Sequence, residues 1–166
     1  MTDLPQYCDC QTLVLGCGNV LLGDDGFGPA VIEYLSSSDG LPEGVCLVDA
    51  GTGARRILAT LAAAESRPER VFLVDCVDRG GVPGEDAEMN CDEAMPARKL
   101  PLHLTITPDL ISELREQGIE VRLFVCQGSR LPDEVSPGLS AEMSRAVPRM
   151  ARRMTAALLS GGTSHP

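Results

Sequence analysis

An α/β fold in three layers, with a mostly parallel central sheet of about five strands and helices on both faces, is what this sequence predicts. Three observations carry the prediction. Short apolar runs close on Gly or Asp, as buried strands of a parallel sheet do. Segments of helical periodicity alternate with those runs. The 166 residues suit one domain with a substantial core, and no internal repeat or linker divides them.

The elements follow in order. TLVLG (12–16) is a buried strand ending in Gly16. GPAVIEYLSSS (28–38) places Val31, Ile32 and Leu35 on one helical face, and Pro29 is tolerated in its first turn. GVCLVDAG (44–51) is a second buried strand closing on Asp49 and a glycine turn, and ARRILATLAAAE (54–65) is a helix. RVFLVDCVD (70–78) is a third strand that carries Asp75 near its end. RGGVPGEDAEMNCDEAMP (79–96), rich in Gly, Pro and acids, is an excursion with a short strand around 88–91.

TPDLISELREQG (107–118) is a well-signed helix. Thr107 is placed to cap it, Pro108 fits its first position, Asp109 suits its positive end and Gly118 stops it. IEVRLFVCQG (119–128) is a further strand, and LSAEMSRAVPRMARRMTAALLSG (139–161) is a long last helix, bent or begun again at Pro148. The expected domain is 1–166 as a single unit with its core at 12–160, flanked by flexible tails at 1–11 and 161–166.

Charge narrows the function. With Asp+Glu 24 against Lys+Arg 14, the formal charge is −10 and no basic face is available for nucleic acid. No apolar run reaches the length of a membrane span. The opening MTDLPQYCDCQ has neither the basic nor the apolar region of a signal peptide, so a cytoplasmic protein is expected. Seven cysteines, an odd number, fit reduced thiols better than a disulfide framework. Cys46, Cys76 and Cys126 lie in apolar runs and read as small core residues. The Cys8–Cys10 pair has no second pair to complete a zinc site and reads as part of a solvated tail.

In a doubly wound sheet, ligands meet the carboxyl ends of the strands where strand order reverses. That edge carries the loop Gly16–Gly26, the turn Asp49–Gly53 and Asp75. The loop GCGNVLLGDDGFG (16–28) is glycine-rich, yet it is not a nucleotide loop. The dinucleotide pattern fails at Leu21, and no G-K-[ST] follows. Asp24 and Asp25 would oppose a pyrophosphate by several kcal/mol, on the order of Coulomb estimates for a partly dry site. Carboxylates at a helix start also cap it and complement its dipole; with two neighbours, one is free to cap while the other faces the cleft.

Asp25, Asp75 and His103 together form an oxygen, oxygen and nitrogen set suited to a divalent transition ion such as nickel or zinc. By spacing alone, a lone histidine between leucines is more often a packed or surface residue than a ligand. Two nucleophile patterns stand beside that set. The segment DAGTG (49–53) superficially looks like the D-T-G of aspartic proteases, but no second copy exists, and Asp49 is better read as ordering its own turn. Cys17 or Cys76 paired with His103 would make a cysteine protease.

The same residues resemble a known family. GCGNVLLGDDGFG (16–28) is similar to the G-x-G-N-x-L-x-x-D-[ED]-x-x-G signature of the endopeptidases that mature nickel–iron hydrogenases. VDAGTGA (48–54) resembles their D-G-G-T loop, and VFLVDCVDRGGVPG (71–84) resembles their third strand and the glycine turn after it. His103, ahead of LTITPDLISEL, matches the place of their functional histidine, and QGSRLPDEVSPGLSAEM (127–143) resembles their late segment before the last helix. The likeness spans roughly residues 12–160, and it looks strongest toward proteases paired with coenzyme F420-reducing hydrogenases.

The resemblance implies a peptidase whose partner is the large-subunit precursor of a nickel–iron hydrogenase, with no nucleic acid, membrane or nucleotide. It implies that nickel, carried by the substrate, is recognised before a short C-terminal peptide is removed. Asp25, Asp75 and His103 take the metal-contact and catalytic positions, and Gly18, Asn19, Asp24, Asp49, Gly51, Thr52 and Gly53 form the surrounding substrate loops. A free enzyme would take up zinc or cadmium only adventitiously. One departure is that many members have Glu where this chain has the shorter Asp25. On this reading the glycine loop lets backbone approach a metal carried by another protein. The rival reading is a non-catalytic, nickel-sensing chaperone that docks on the large subunit.

Overall fold

The computed structural model describes residues 6–89, 108–129 and 134–160. In chain order the elements are β1 (Thr12–Cys17), α1 (Phe27–Ser36), β2 (Val45–Gly51), α2 (Ala54–Ala63), β3 (Arg70–Val77), β4 (Asp86–Met89), α3 (Pro108–Glu116), β5 (Glu120–Gln127) and α4 (Ala141–Ser160), with short 3₁₀ turns at Gln6–Cys8 and Gly23–Gly26. The five strands form one sheet in the order β2-β1-β3-β5-β4. β1, β2, β3 and β5 run parallel, and β4 closes the edge antiparallel to β5. The expected three-layer fold is therefore present.

Alternation along the strands builds the two outer layers. Val14, Phe72, Val74 and Phe124 pack under α1 and α4. Leu13, Leu15, Val71, Leu73 and Val121 turn the other way, under α2 and α3. Successive strand residues point to opposite faces, so continuous apolar runs supply both cores at once. α4 presents Met143, Ala146, Val147, Met150, Ala151, Met154, Ala157 and Leu158 as one buried stripe.

Several expectations need correction. α4 does not begin again at Pro148; it runs as one helix through that residue. Pro148 forgoes a bond to the carbonyl of Ser144, and Ser144 lies on the exposed side, where water can take its place. β2 is half-buried rather than buried, because it is a sheet edge. The segment before β1 is not a solvated tail where it is described. Cys8 is 1% and Cys10 9% exposed, and both belong to the core beneath α2 and α3. The Cys10 thiol donates to the Tyr7 carbonyl, and Gln11 N–H bonds Gly44 O, which ties this segment to the start of β2. The proposed Thr107 cap lies outside the described residues, whereas Gly118 does end α3, at φ +83°. No helix among the described residues is long and apolar enough to cross a membrane.

Candidate active site

The switch point of the sheet lies between β1 and β3. From β1 the chain crosses to β2 on one side, then returns to pair β3 on the other. Asp25 follows β1 in the Gly23–Gly26 turn, and Asp75 sits in β3 in register with Val125 of β5. Both side chains are fully buried, at 0% exposure. Asn19 N–H donates to Asp25 Oδ2 at 2.8 Å, and Cys76 N–H donates to Asp75 Oδ1 at 2.6 Å. Both carboxylates bear on the same two thiols. Burial pushes the Cys17 thiol well above its ordinary pKa, and Asp75, Asp49 and Asp25 push it further. Burial likewise raises Cys76, with Asp75, Asp24 and Asp25 adding to it. Asp25 and Asp75 thus face one small region at the carboxyl edge.

The rim around them is a hydrogen-bonded unit. Gly18 N–H reaches Gly51 O at 3.0 Å, joining the loop after β1 to the turn after β2. Asp49 Oδ1 accepts Gly51 N–H at 3.0 Å, the turn-ordering role expected of it, and Asn19 Oδ1 accepts Leu21 N–H at 3.0 Å. Gly53 opens α2 and Thr52 is exposed beside it.

The glycines serve a closer purpose than approach to a foreign metal. A Cβ on Gly18, whose φ is +127°, would lie 1.9 Å from the Asp25 carbonyl oxygen. One on Gly28 would lie 2.2 Å from Cys17 O and 2.6 Å from Val74 O, and one on Gly16 would lie 2.6 Å from Gly28 O. The clearance is filled by the chain's own backbone. Glycine lets α1 settle against β1 and β3, and that contact carries Asp25 to the switch point.

Asp24 turns elsewhere. It does not cap α1, which has no side-chain cap. Its Oδ2 accepts Ser129 N–H at 3.0 Å and Ser129 Oγ at 2.5 Å, while Oδ1 accepts Ser140 N–H at 2.7 Å. Ser140 Oγ also donates to Oδ2, at 3.1 Å, and accepts Met143 N–H at 3.3 Å as the cap of α4. Asp24 therefore clamps the ends of β5 and α4 to the site loop. Burial alone would raise its pKa, but the four bonds from Ser129 and Ser140 outweigh burial and hold it below the usual carboxylate range.

Asp24→Ala is expected to destabilise the fold by about 2 kcal/mol, since it leaves partly buried donors on two segments without their acceptor. The folded pKa lies below the unfolded one, so this contribution is complete above the ordinary carboxylate range. It fades as pH falls through that range toward the folded pKa. Urea unfolding of wild type and Asp24→Asn, at neutral pH and below about pH 4, checks the sign: the gap between them narrows in acid.

A cysteine nucleophile does not suit these surroundings. Cys17 and Cys76 are buried, and carboxylates raise their pKa values, the reverse of what activates a thiol. Native protein treated with iodoacetamide is expected to keep its peptidase rate; loss of activity would return a thiol to the chemistry.

His103 lies outside the described residues. Among the described residues no three His, Cys, Asp or Glu are grouped to hold a metal ion, so a three-ligand site needs a donor from beyond them. Ser129, Ser140 and Gly128 escaped the sequence reading. Gly128 has no room for a Cβ, which would sit 2.5 Å from Cys76 Sγ. The signals in the sequence are the segment 127–143, which holds all three, and a serine standing directly before the apolar stripe of α4.

Comparisons with known proteins identify the family. The family model for hydrogenase maturation proteases of the HycI type matches residues 29–157. A putative hydrogenase maturation protease of Methanocaldococcus jannaschii is 35% identical over 139 residues, covering 81% of this chain and 88% of that one. The coenzyme F420 hydrogenase subunit delta of Methanothermobacter thermautotrophicus is 32% identical over 146 residues, covering 85% and 90%. Among solved structures, the hydrogenase maturating endopeptidase HybD from E. coli superposes with a TM-score of 0.71 at 25% identity, covering 92% of this chain and 94% of that one. The matching family model is that of a protease and the HybD structure that of an endopeptidase, so the docking-chaperone reading gives way to a catalytic one. The chain belongs to the hydrogenase maturation protease family and is a peptidase.

Proposed function

We propose that this peptidase acts on the large-subunit precursor of a nickel–iron hydrogenase once nickel is in place, and that it removes a C-terminal peptide. Asp25, Asp75 and His103 contact the nickel that the substrate carries. The observation that supports this reading best is the pair of fully buried carboxylates at the switch point. Carboxyl groups at that edge offer the oxygen donors that a divalent cation arriving with the substrate takes. Oxygen ligands with one imidazole suit nickel. The name of the Methanothermobacter relative points to an F420-reducing hydrogenase as the substrate class.

The chemistry needs an attacking water, a polarised carbonyl and a proton for the departing amine. In this assignment the substrate's nickel polarises the scissile carbonyl, and Asp25 or Asp75 accepts the proton of the water as general base. Cleavage then depends on the cargo, which makes the enzyme a checkpoint for nickel insertion.

Intact mass of the cognate precursor, nickel-loaded and nickel-free, after incubation with the protein tests this directly. Loss of a C-terminal peptide from the loaded form alone is expected, and His103→Ala should abolish it. Equal cutting of both forms, or undiminished cutting by His103→Ala, would overturn the nickel assignment.

A further inference from the structure

A second feature adjoins the site without belonging to it. A groove of about 810 Å³ runs along the β3–β4 connection, the end of β5 and the first turns of α4. Its floor includes Val125, the register partner of Asp75, and Val77, two residues beyond Asp75 on β3. The groove therefore borders the strand that carries Asp75.

Its wall is preorganised by one buried side chain. Gln127 is 7% exposed. Its Oε1 accepts Arg79 N–H at 2.8 Å, and its Nε2 donates to Gly128 O at 2.7 Å and Asp78 Oδ1 at 3.3 Å. Its backbone carbonyl accepts Gly84 N–H at 2.7 Å. The connection from Asp78 to Gly84 is thus pinned at both ends to β5, with Gly80 and Gly81 facing solvent and Gly84 buried.

Three guanidinium groups and three carboxylates, those of Glu85, Asp86 and Glu142, line this groove in a chain of net charge −10. Two of the guanidinium groups are already balanced. Arg149 bonds Asp86, which also takes Arg153 at 2.8 Å, and Arg145 pairs with Glu142 at 3.1 Å. Arg79 has no carboxylate partner among the described residues; its Nη1 contacts only the thioether of Met89. A guanidinium held on a fixed loop with no carboxylate bonded to it among the described residues is suited to a carboxylate from outside.

We propose that this groove holds the C-terminal segment of the precursor that is cut away, with Arg79 pairing to a carboxylate on it. The proposal rests on the protease reading above. A segment removed from a chain's end always carries the terminal carboxylate, whatever its sequence, and acidic side chains on it offer the same chemistry. Arg79 is here a specificity and positioning residue that touches the leaving peptide, away from the scissile bond.

Two measurements test this. Binding of a fluorescently labelled synthetic peptide, corresponding to the segment removed, is read by anisotropy and needs no turnover. Arg79→Gln is expected to weaken it about tenfold, the scale of one charge-assisted bond, and Arg79→Lys less. Amidating the peptide's terminus weakens binding to wild type by the same factor, and to Arg79→Gln no further, if the terminal carboxylate is the partner. Acid-to-amide changes in its side chains do so if they are. In steady-state cleavage of nickel-loaded precursor, Arg79→Gln raises KM with a smaller change in kcat. Equal affinity of wild type and Arg79→Gln for the peptide overturns the groove assignment even where cleavage proceeds. Failure of wild type to cut the loaded precursor overturns the protease reading by a separate observation.

Discussion

Asp25→Asn and Asp75→Asn are each expected to slow cleavage of nickel-loaded precursor by at least about 1,000-fold, with the fold retained. The amide keeps the shape of the side chain and an oxygen that can accept the same backbone donor, Asn19 N–H for position 25 and Cys76 N–H for position 75. What it removes, at a fully buried position, is the carboxyl group that can ligate a cation and accept a proton. A structural role would show as a fall in melting temperature. A role in holding cargo and accepting a proton shows as lost turnover at unchanged melting temperature. The double variant should cost little more than either single one, since groups acting on one transition state are not additive. Full additivity, or cleavage within tenfold of wild type for either variant, would mean that the two carboxylates do not share one reaction. Nickel-dependent affinity for the precursor gives an independent readout. Wild type should bind the loaded form more tightly than the empty one, and the Asn variants should lose that preference.

Much of this architecture was legible before any coordinates. Apolar runs such as TLVLG and RVFLVD and the 3.6-residue stripe of α4 encode burial directly, so element order, the parallel sheet and the placement of Asp25 and Asp75 at its carboxyl edge follow from pattern. What stayed hidden were contacts between residues far apart in sequence. Asp24 reaches Ser129 across 105 positions and Ser140 across 116. No local periodicity announces such bonds, and the acid looked like a cap for the helix that follows it. The buried position of Cys8 and Cys10 was hidden for the same reason: two thiols in a polar opening segment acquire their core only from α2 and α3. The half-exposure of β2 depends on its place at the sheet edge, which an apolar run does not specify. Sequence likewise marks a glycine but not its neighbour, so the difference between room left for a ligand and room taken by the chain itself appears only in three dimensions.

That difference yields the second large effect. Gly18→Ala and Gly28→Ala are each expected to destabilise the protein by about 3 kcal/mol or more, enough to leave a substantial fraction unfolded in a marginally stable domain. At Gly18 the new methyl would lie 1.9 Å from the Asp25 carbonyl oxygen, and φ of +127° is unfavourable for any side chain. At Gly28 it would meet Cys17 O at 2.2 Å, Cys17 N at 2.5 Å and Val74 O at 2.6 Å. All of these are backbone atoms, so no rotamer change relieves the overlap. α1 would have to lift from β1 and β3, taking Asp25 with it. Gly40→Ala is the internal comparison: its φ is +93°, but nothing lies within 4 Å of the added methyl, so it reports backbone strain without the clash. Urea denaturation of the three variants separates the terms. Gly40→Ala should lose about 1 kcal/mol, Gly28→Ala several times that from overlap alone, and Gly18→Ala should combine both. If Gly28→Ala unfolds no more easily than wild type, α1 does not rest on β1 and β3 as closely as described. In that case the glycines of the loop would again be open to a ligand's approach, and the backbone contact that holds Asp25 at the switch point would lose its basis.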